Sequence, residues 1–476
     1  MQNYKEQFRG KKITIMGLGI LGRGLGYTKF LAECGADLTV TDLKTKKELV
    51  TSVKVLSKYK GIKFVLGKHR LEDFRNRDMI IKAAGVPLDS IFIKEAKKNK
   101  IPVEMDVSLF AKCAPEVMIV GVTGTRGKSM TTALIYEILS AFAKASAGQG
   151  KPINKFWANK PRVFLGGNVR GVATLPLLEK VKAGDILGCE LDSWQLQGFG
   201  EAKISPHISV FTSFMPDHMN YYGSTSLTTS KKAMKRYFED KANIFKYQKK
   251  GDILIIRPGV KKLIPKDLKS KLVVADPRHS GASWKFIVPG EHQRENLACA
   301  VEVARQFNIP EPDIKKVVEN FKGLEGRLQL LRIYKGIKIY NDNNATTPEA
   351  TIAGIEALKG KNKNIVLICG GADKGLPLDN FVKVVNKYCK AVTMIPGTGT
   401  ERLIKNYELR IKNEMGRDLN DIIKTAIKGA KKGDIILFSP AFASFGMFNN
   451  EYERNDLFVK IISALGGSAS GRKNLK

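Results

Sequence analysis

At 476 residues the chain is too long for a single hydrophobic core, so several domains are expected. With 43% hydrophobic and 26% charged residues, and no apolar run near the ~20 residues needed to cross a bilayer, it reads as a soluble globular protein without membrane insertion. The net charge of +34 raises nucleic-acid binding, but the lysines are spread along the whole chain without a basic block, so a surface that steers small anionic substrates is expected instead.

The N-terminal stretch MQNYKEQFRGKK has no apolar signal core, which predicts a cytoplasmic protein. Six scattered cysteines form no C-x-x-C pair, so neither a zinc knuckle nor a disulfide framework is expected, and most are read as small core residues. The first strand, Ile13 to Met16, runs into Gly17-Leu18-Gly19-Ile20-Leu21-Gly22, a complete G-x-G-x-x-G. A second strand, from Asp37, ends at Asp42, about 20 residues further on, as in dinucleotide-binding units. The same turn suits any pyrophosphate, because glycines let the backbone approach and the following helix presents its positive end. A third strand, Asp78 to Lys82, and a short one near Val103 complete an α/β unit ending near Asp106.

A second unit opens with VTGTRGKSMTT, Val122 to Thr132, between an apolar strand and a helix-like run from Thr131 to Phe142. Strand, glycine turn and helix in that order make a phosphate cradle: turn amides hold phosphate oxygens, Lys128 reaches the outer phosphates and the Ser129 hydroxyl suits Mg²⁺. The strict G-x-x-x-x-G-K-[ST] pattern is shortened here, because its first glycine would fall at Val122. Residues 143–160 and 224–235 are read as inserted loops. Strands at Val163 to Leu165, Ile186 to Cys189 and Ile208 to Phe211 lead to polar ends at Asn168, Glu190 and Asp217-His218, where parallel α/β sheets bind ligands. A helix from Arg236 to Gln248 carries Lys241, and helices from Glu291 and Pro312 close the unit.

In the third unit, strands at Ile337 to Tyr340, Ile365 to Cys369, Ala391 to Ile395 and Asp434 to Phe438 alternate with helices, which predicts a parallel, doubly wound sheet. Its strand ends carry Asn341-Asp342, Gly370 to Lys374 and Ser439 to Ser444, and the tail from Gly466 is expected to be disordered.

In this order the fragments T-G-T-x-G-K-S, GGN at 166–168, E-L-x-S-x-Q-L at 190–196, D-H-M at 217–219, D-K-A-x-I-F at 240–245, G-x-H-x-x-x-N at 290–296, N-D-x-x-A-T at 341–346, G-G-x-D-K at 370–374 and S-P-A-x-A-S at 439–444 resemble the Mur ligase family over nearly the whole chain. The G-L-G-x-x-G unit and the lysine after G-G-x-D are most similar to the D-glutamate-adding branch. The resemblance implies an α/β protein of three domains: a Rossmann-like UDP-binding domain (1–107), a central ATPase-type parallel sheet (108–322) and a C-terminal Rossmann-like amino-acid domain (323–476). It implies an ATP-dependent ligase that phosphorylates the carboxylate of UDP-N-acetylmuramoyl-L-alanine and joins it to D-glutamate for peptidoglycan precursor synthesis, working as a monomer.

Site roles follow from the matched positions. Gly124, Thr125, Arg126, Gly127, Lys128, Ser129 and Met130, with Asn296, Arg327 and Asp342, would hold ATP between the second and third domains. Two Mg²⁺ would be held by Ser129 and Glu190, and by His218 with Lys241 as a carbamate. Gly17, Gly19, Ile20, Leu21, Gly22 and Asp42 would hold the UDP moiety, while Asn168, Ser193 and Gln195 line the muramoyl path. Thr346 and Lys374 would take the D-glutamate side-chain carboxylate and Ser444 its α-carboxylate. The chain departs from the family pattern at Asn343 and Asn344, where serine and lysine are usual, at Gly326 for a histidine, at Asp192 for a serine and at Glu451 for an aromatic. Alternatives are a related ligase adding L-alanine or L-glutamate, a folylpolyglutamate-type ligase, which typically lacks the first unit, and an NAD-dependent oxidoreductase, which leaves Lys128, Ser129 and Glu190 unexplained.

Overall fold

The computed structural model describes residues 4–147, 160–217, 219, 221–223 and 231–465. His218, most of the two insertions and the glycine-rich tail therefore lie outside the described residues. The chain forms two compact units, one of Met1–Trp284 with Glu295–Val318, the other of Lys285–Arg294 with Glu319–Lys476.

The first unit holds two sheets. β1 (Lys12–Met16), β2 (Asp37–Asp42), β3 (Ile62–Leu66), β4 (Met79–Lys82) and β5 (Val103–Glu104) pair in the order β3-β2-β1-β4-β5, all parallel. β6 (Met118–Thr123), β7 (Val163–Gly167), β8 (Ile186–Glu190), β9 (Ile208–Phe211), β10 (Ile253–Ile256) and β11 (Lys271–Val274) pair in the order β11-β10-β9-β6-β8-β7, again all parallel. Strands covered on both faces need apolar side chains at every position, and β8 and β9 are buried throughout. One hydrophobic cluster runs through both sheets, from Leu38 and Val40 by way of Phe110 to Leu187 and Phe211. In each sheet the chain reverses direction beside the first strand, β1 or β6, which opens a crevice at the carboxyl ends of the strands.

The second unit holds β12 (Gln329–Tyr334), β13 (Ile337–Asn341), β14 (Ile365–Gly370), β15 (Cys389–Ile395), β16 (Lys412–Met415) and β17 (Ile435–Phe438), in the order β12-β13-β17-β14-β15-β16. This sheet is mixed, which corrects the expectation of a wholly parallel one. β12 runs antiparallel to β13, and every other pairing is parallel. The tight turn at Lys335-Gly336, both with positive φ, joins β12 to β13 as a hairpin, and a hairpin makes strands antiparallel. Hydrophobic clusters cover both faces of the sheet, one around Leu367 and Phe381, the other around Ile368 and Phe458.

Two further boundaries differ from expectation. The helix after the cradle runs Lys128–Ala147, so the first insertion begins later than residue 143. The helix carrying Lys241 is Lys231–Ala242, so residues 231–235 are helical rather than looped and the helix stops before Gln248. All six cysteines are buried thiols.

Candidate active site

The glycine turn leaves β1 at the first crevice. Gly17, Gly19 and Gly22 all have positive φ, where a side chain is strained. A Cβ on Gly17 would lie 2.8 Å from the Ala83 Cβ at the end of β4, so the turns from β1 and β4 touch. Asp42 closes the turn: its carboxylate accepts the Gly19 N–H at 2.9 Å and the Lys44 N–H at 2.8 Å. Ile20, Leu21 and Leu43 stand exposed at the rim, an apolar edge beside a polar cradle. Gly24, not singled out in the sequence, is packed most tightly, since a Cβ there would meet the Leu18 carbonyl oxygen at 1.9 Å.

The second crevice is built on the turn after β6. Gly124 and Gly127 have φ of +148° and +91°. A Cβ on Gly124 would lie 2.1 Å from the Thr212 Oγ1, and one on Gly127 would lie 2.3 Å from the Asn296 Oδ1, so Asn296 stands directly against the cradle. The segment leaving β9 braces the turn: Thr125 N–H donates to the Ser213 carbonyl at 2.8 Å, and Arg126 N–H donates to the Ser213 Oγ at 2.8 Å. Arg126 forms an ion pair with Asp217 at 2.8 Å, which fixes the residue just before His218. Lys128 folds back onto the turn, donating to the Gly124 carbonyl at 3.0 Å and the Thr125 carbonyl at 3.2 Å.

Burial lowers the pKa of the Lys128 ammonium, against an opposing pull from Glu190. Lys241 is the more extreme case. It is 1% exposed, donates to the Gly124 carbonyl at 2.9 Å and stands 4.9 Å over the Tyr237 ring. Burial drives its pKa well below the ordinary lysine value, and repulsion from Lys128 adds to the shift. The helix Lys231–Ala242 thus brings Lys241 to the cradle despite the long connection from β9, and Tyr237, four residues earlier on the same face, touches the Thr125 hydroxyl at 3.3 Å.

Glu190 ends β8, buried, with Oε1 accepting from the Asn168 amide at 3.3 Å. The glycine pair before Asn168 lets that chain approach, since a Cβ on Gly167 would lie 2.1 Å from the Glu190 carbonyl oxygen. Ser193 and Gln195 are buried at the start of helix Ser193–Ala202. The Asp192 carboxylate accepts the Gln195 N–H at 2.7 Å, and the Gln195 side chain accepts the Asp192 N–H at 3.3 Å, a reciprocal capping box. The Gln195 side-chain oxygen therefore serves the helix end, and Asp192 in place of serine is an equally good cap. Mg²⁺ binds through one or two carboxylates plus phosphate and water rather than through an all-protein cage. Glu190 with the Ser129 hydroxyl fits that pattern, and no cluster of three acidic, histidine or cysteine side chains occurs among the described residues.

In the second unit, Asp342 follows β13 fully enclosed. Its carboxylate accepts the Ser439 hydroxyl at 2.9 Å and the Leu328 N–H at 3.1 Å, and burial pushes its pKa up to about 7. Arg327 lies next to that Leu328 amide. Lys374 donates to the Thr346 hydroxyl at 3.0 Å, so these two expected carboxylate-binding groups are already joined. Ala372 and Ala443 exchange backbone hydrogen bonds at 3.0 and 3.1 Å, which brings the strand-end segment of Lys374 beside that of Ser444. Arg454, fully buried, reaches the same strand-end segment through Asn343, and sequence patterns gave no sign of it.

Models of three families match the chain in order: a MurD-like N-terminal domain over residues 11–104, a Mur ligase middle domain over 122–273 and a Mur ligase glutamate ligase domain over 326–442. The curated UDP-N-acetylmuramoylalanine--D-glutamate ligase of Roseiflexus sp. (strain RS-1) is 33% identical, over 96% of this chain and 99% of that protein. The chain belongs to the Mur ligase family. The enzyme of the same name from Borreliella afzelii is 32% identical to this Mur ligase, over 97% and 99% of the two chains. Two solved structures share the fold. The UDP-N-acetylmuramate-alanine ligase MurC of Thermotoga maritima has a TM-score of 0.58 at 18% identity, covering 95% of this chain and 99% of that one. The MurF ligase of the same organism, in complex with ADP, has a TM-score of 0.52 at 17% identity, covering 96% of each chain.

Two residues of this Mur ligase site have surroundings that no motif describes. Lys82, at the end of β4, is 2% exposed and donates to the Val86 carbonyl at 2.9 Å, and burial lowers its pKa to about 8. Asp240, beside Lys241, accepts from Gln197 at 2.8 Å and from the Tyr222 hydroxyl at 3.0 Å. The helical spacing of Tyr237 and Lys241 was a usable signal, and Asp240 opens the D-K-A-x-I-F fragment, but its contacts with Gln197 and Tyr222 lie far off in the chain and the burial of Lys82 has no local signature.

Proposed function

We propose that this chain is the ATP-dependent ligase that adds D-glutamate to UDP-N-acetylmuramoyl-L-alanine in peptidoglycan precursor synthesis. The observation that carries the proposal is the convergence of Lys128, Glu190 and the buried Lys241 on one glycine turn, in a chain that matches enzymes of that name over nearly its full length. A substrate carboxylate oxygen attacks the γ-phosphorus, the bond to the β,γ-bridging oxygen breaks and ADP leaves. The amine of D-glutamate then attacks the acyl carbon, loses a proton and expels phosphate. Such phosphoryl transfer is dominated by positioning and by neutralising charge on the phosphoryl oxygens.

In this mechanism Lys128 swings from the Gly124 and Thr125 carbonyls to the β- and γ-phosphates, and the cradle amides hold the β-phosphate. Glu190 and Ser129 would hold one Mg²⁺, which would supply charge neutralisation at the phosphates. His218 and Lys241 would serve a second. The depressed pKa of Lys241 supports its carbamylation, because only the neutral amine adds CO₂. Gly17 to Gly22 and Asp42 hold the UDP pyrophosphate and nucleoside, Asn168, Ser193 and Gln195 line the muramoyl path, and Asn296, Arg327 and Asp342 hold ATP. Thr346, Lys374 and Ser444 bind D-glutamate. Domain boundaries at 107/108 and 322/323 are proposed with it, supported by one sheet in each segment. The water-soluble substrates favour a cytoplasmic location, and a monomer is proposed with it; no described helix is long and apolar enough to cross a membrane.

The test is phosphate release from ATP with Mg²⁺ and bicarbonate. Release is expected only when both UDP-N-acetylmuramoyl-L-alanine and D-glutamate are present, with L-glutamate, L-alanine and D-aspartate failing to replace the latter. Lys128→Ala is expected to lower it by about 10² to 10³-fold. Release that ignores the amino acid, or survives in Lys128→Ala, overturns the proposal.

A further inference from the structure

Arg454 lies in helix Glu451–Ala464 and is among the largest fully buried side chains of the described residues. No carboxylate among the described residues forms an ion pair with it, and its Nη1 has no hydrogen-bond partner there. An unneutralised cation is costly to bury, so its other contacts carry particular weight. Arg454 Nε donates to the Asn343 Oδ1 at 2.8 Å, and Nη2 donates to the Asn343 carbonyl at 3.0 Å.

A guanidinium has donors only, and this fixes every amide that follows. The Asn343 side chain must turn its oxygen to Arg454, so its NH₂ group faces away. That group donates to the Asn344 Oδ1 at 3.2 Å and to the Glu451 carbonyl at 3.0 Å, which uses both hydrogens. Asn344 must then turn its own oxygen inward and its NH₂ outward. There, among the described residues, the half-exposed Nδ2 donates only to the Glu325 carbonyl, at 3.5 Å. The backbone of Asn344 also accepts the Thr346 N–H at 3.1 Å, and the Thr346 hydroxyl accepts from Lys374.

We propose that Arg454 is a positioning residue: through Asn343 it locks the Asn344 amide so that its NH₂ group joins Thr346 and Lys374 in recognising the side-chain carboxylate of the incoming amino acid. Position 344 thus carries a neutral donor whose orientation a buried cation dictates. The inference rests on the proposed D-glutamate ligase activity.

The test compares Asn344→Asp, Arg454→Lys and the double variant with the unaltered enzyme. Asn344→Asp turns an acceptor toward the carboxylate. It is expected to raise the KM for D-glutamate by about tenfold or more, and to leave the KM values for ATP and the UDP substrate within about twofold. Arg454→Lys keeps the charge but loses the fork that orients Asn343, so a smaller rise in the same KM is expected. Because both act on one relay, the double variant is expected to be no worse than Asn344→Asp alone. Asn344 is partly exposed, so its variant reports even if Arg454→Lys melts. Equal rises in all three KM values, a loss confined to kcat, or additive effects in the double variant overturn the inference. If the unaltered enzyme shows no D-glutamate-dependent turnover, the functional proposal itself fails, and that outcome is read before any variant is made.

Discussion

Lys241 is a lysine placed where an ammonium is costly: enclosed, over a tyrosine ring, near Lys128 and Arg126. Its pKa in the fold is below the unfolded value, so between those two values the unfolded chain binds a proton that the native protein does not. Stability must therefore rise with pH across that window. Lys241→Met removes the titration and keeps most of the volume. In bicarbonate-free buffer the variant is expected to melt higher than the parent near neutral pH, by a few degrees. The advantage should shrink to nothing as pH approaches the ordinary lysine value, while ligase activity is lost. Melting curves at several pH values read the first effect. A carbamate resonance with ¹³C-bicarbonate, absent in Lys241→Met, reads the chemistry.

Asp342 carries the opposite sign. Its folded pKa of about 7 lies above the unfolded carboxylate value, so the native state takes up a proton first as pH falls from neutral. Ionised above pH 7 it is a burden, and below the unfolded pKa it contributes nothing. Asp342→Asn is therefore expected to melt a few degrees higher than the parent at pH 8 and equally at pH 4, with a raised KM for ATP. A variant less stable at pH 8 by more than at pH 4 would show that the carboxylate is held ionised by its partners.

At the scale of the element, helix Arg23–Glu33 is set by glycines that no fingerprint fully describes. The G-x-G-x-x-G pattern predicted the turn, and Gly17, Gly19 and Gly22 all take positive φ. Gly24, one residue into the helix, has ordinary backbone angles but no room, with the Leu18 carbonyl where its Cβ would stand. Gly24→Ala is expected to push the helix off the turn, lowering stability by about 1–3 kcal/mol and raising the KM for the UDP substrate several-fold, with the KM for ATP unchanged. Melting and steady-state kinetics check both parts. The same contrast explains what was legible in the sequence. Strand-end acids such as Glu190 and the glycine turn of the cradle follow local rules of spacing, and the sequence sufficed to place them, whereas the capping box at Asp192 emerged only in the structure. Short edge strands such as β3, β11 and β16 carry too few buried residues to show a period, and β12, whose exposed positions are the apolar Leu330 and Ile333, shows no alternation of apolar and polar residues that would mark a strand. Arg454 could not be found by pattern, because its meaning lies in a hydrogen bond across 111 residues of chain.

At the scale of the whole molecule, 80 lysine and arginine residues face 46 acidic ones, so even complete ion pairing leaves a large positive excess. Many of the acids are already matched at the surface, as in Lys97 with Glu201 and Lys412 with Glu414, pairs that contribute little to stability. The excess therefore acts as a field, and its natural targets are the substrates, a nucleotide and a nucleotide-linked sugar of high negative charge. Steering of this kind changes encounter, not chemistry. Raising NaCl from about 0.05 to 0.5 M shortens the screening length to a few ångströms. The kcat/KM for ATP and for the UDP substrate is then expected to fall several-fold at constant free Mg²⁺, with kcat unchanged. D-Glutamate, with a single net charge, should show a much shallower slope. Equal slopes for all three would mean that salt perturbs the folded enzyme rather than the approach of its substrates. A steep, salt-sensitive inhibition by duplex DNA would mean that the positive surface serves nucleic acid instead.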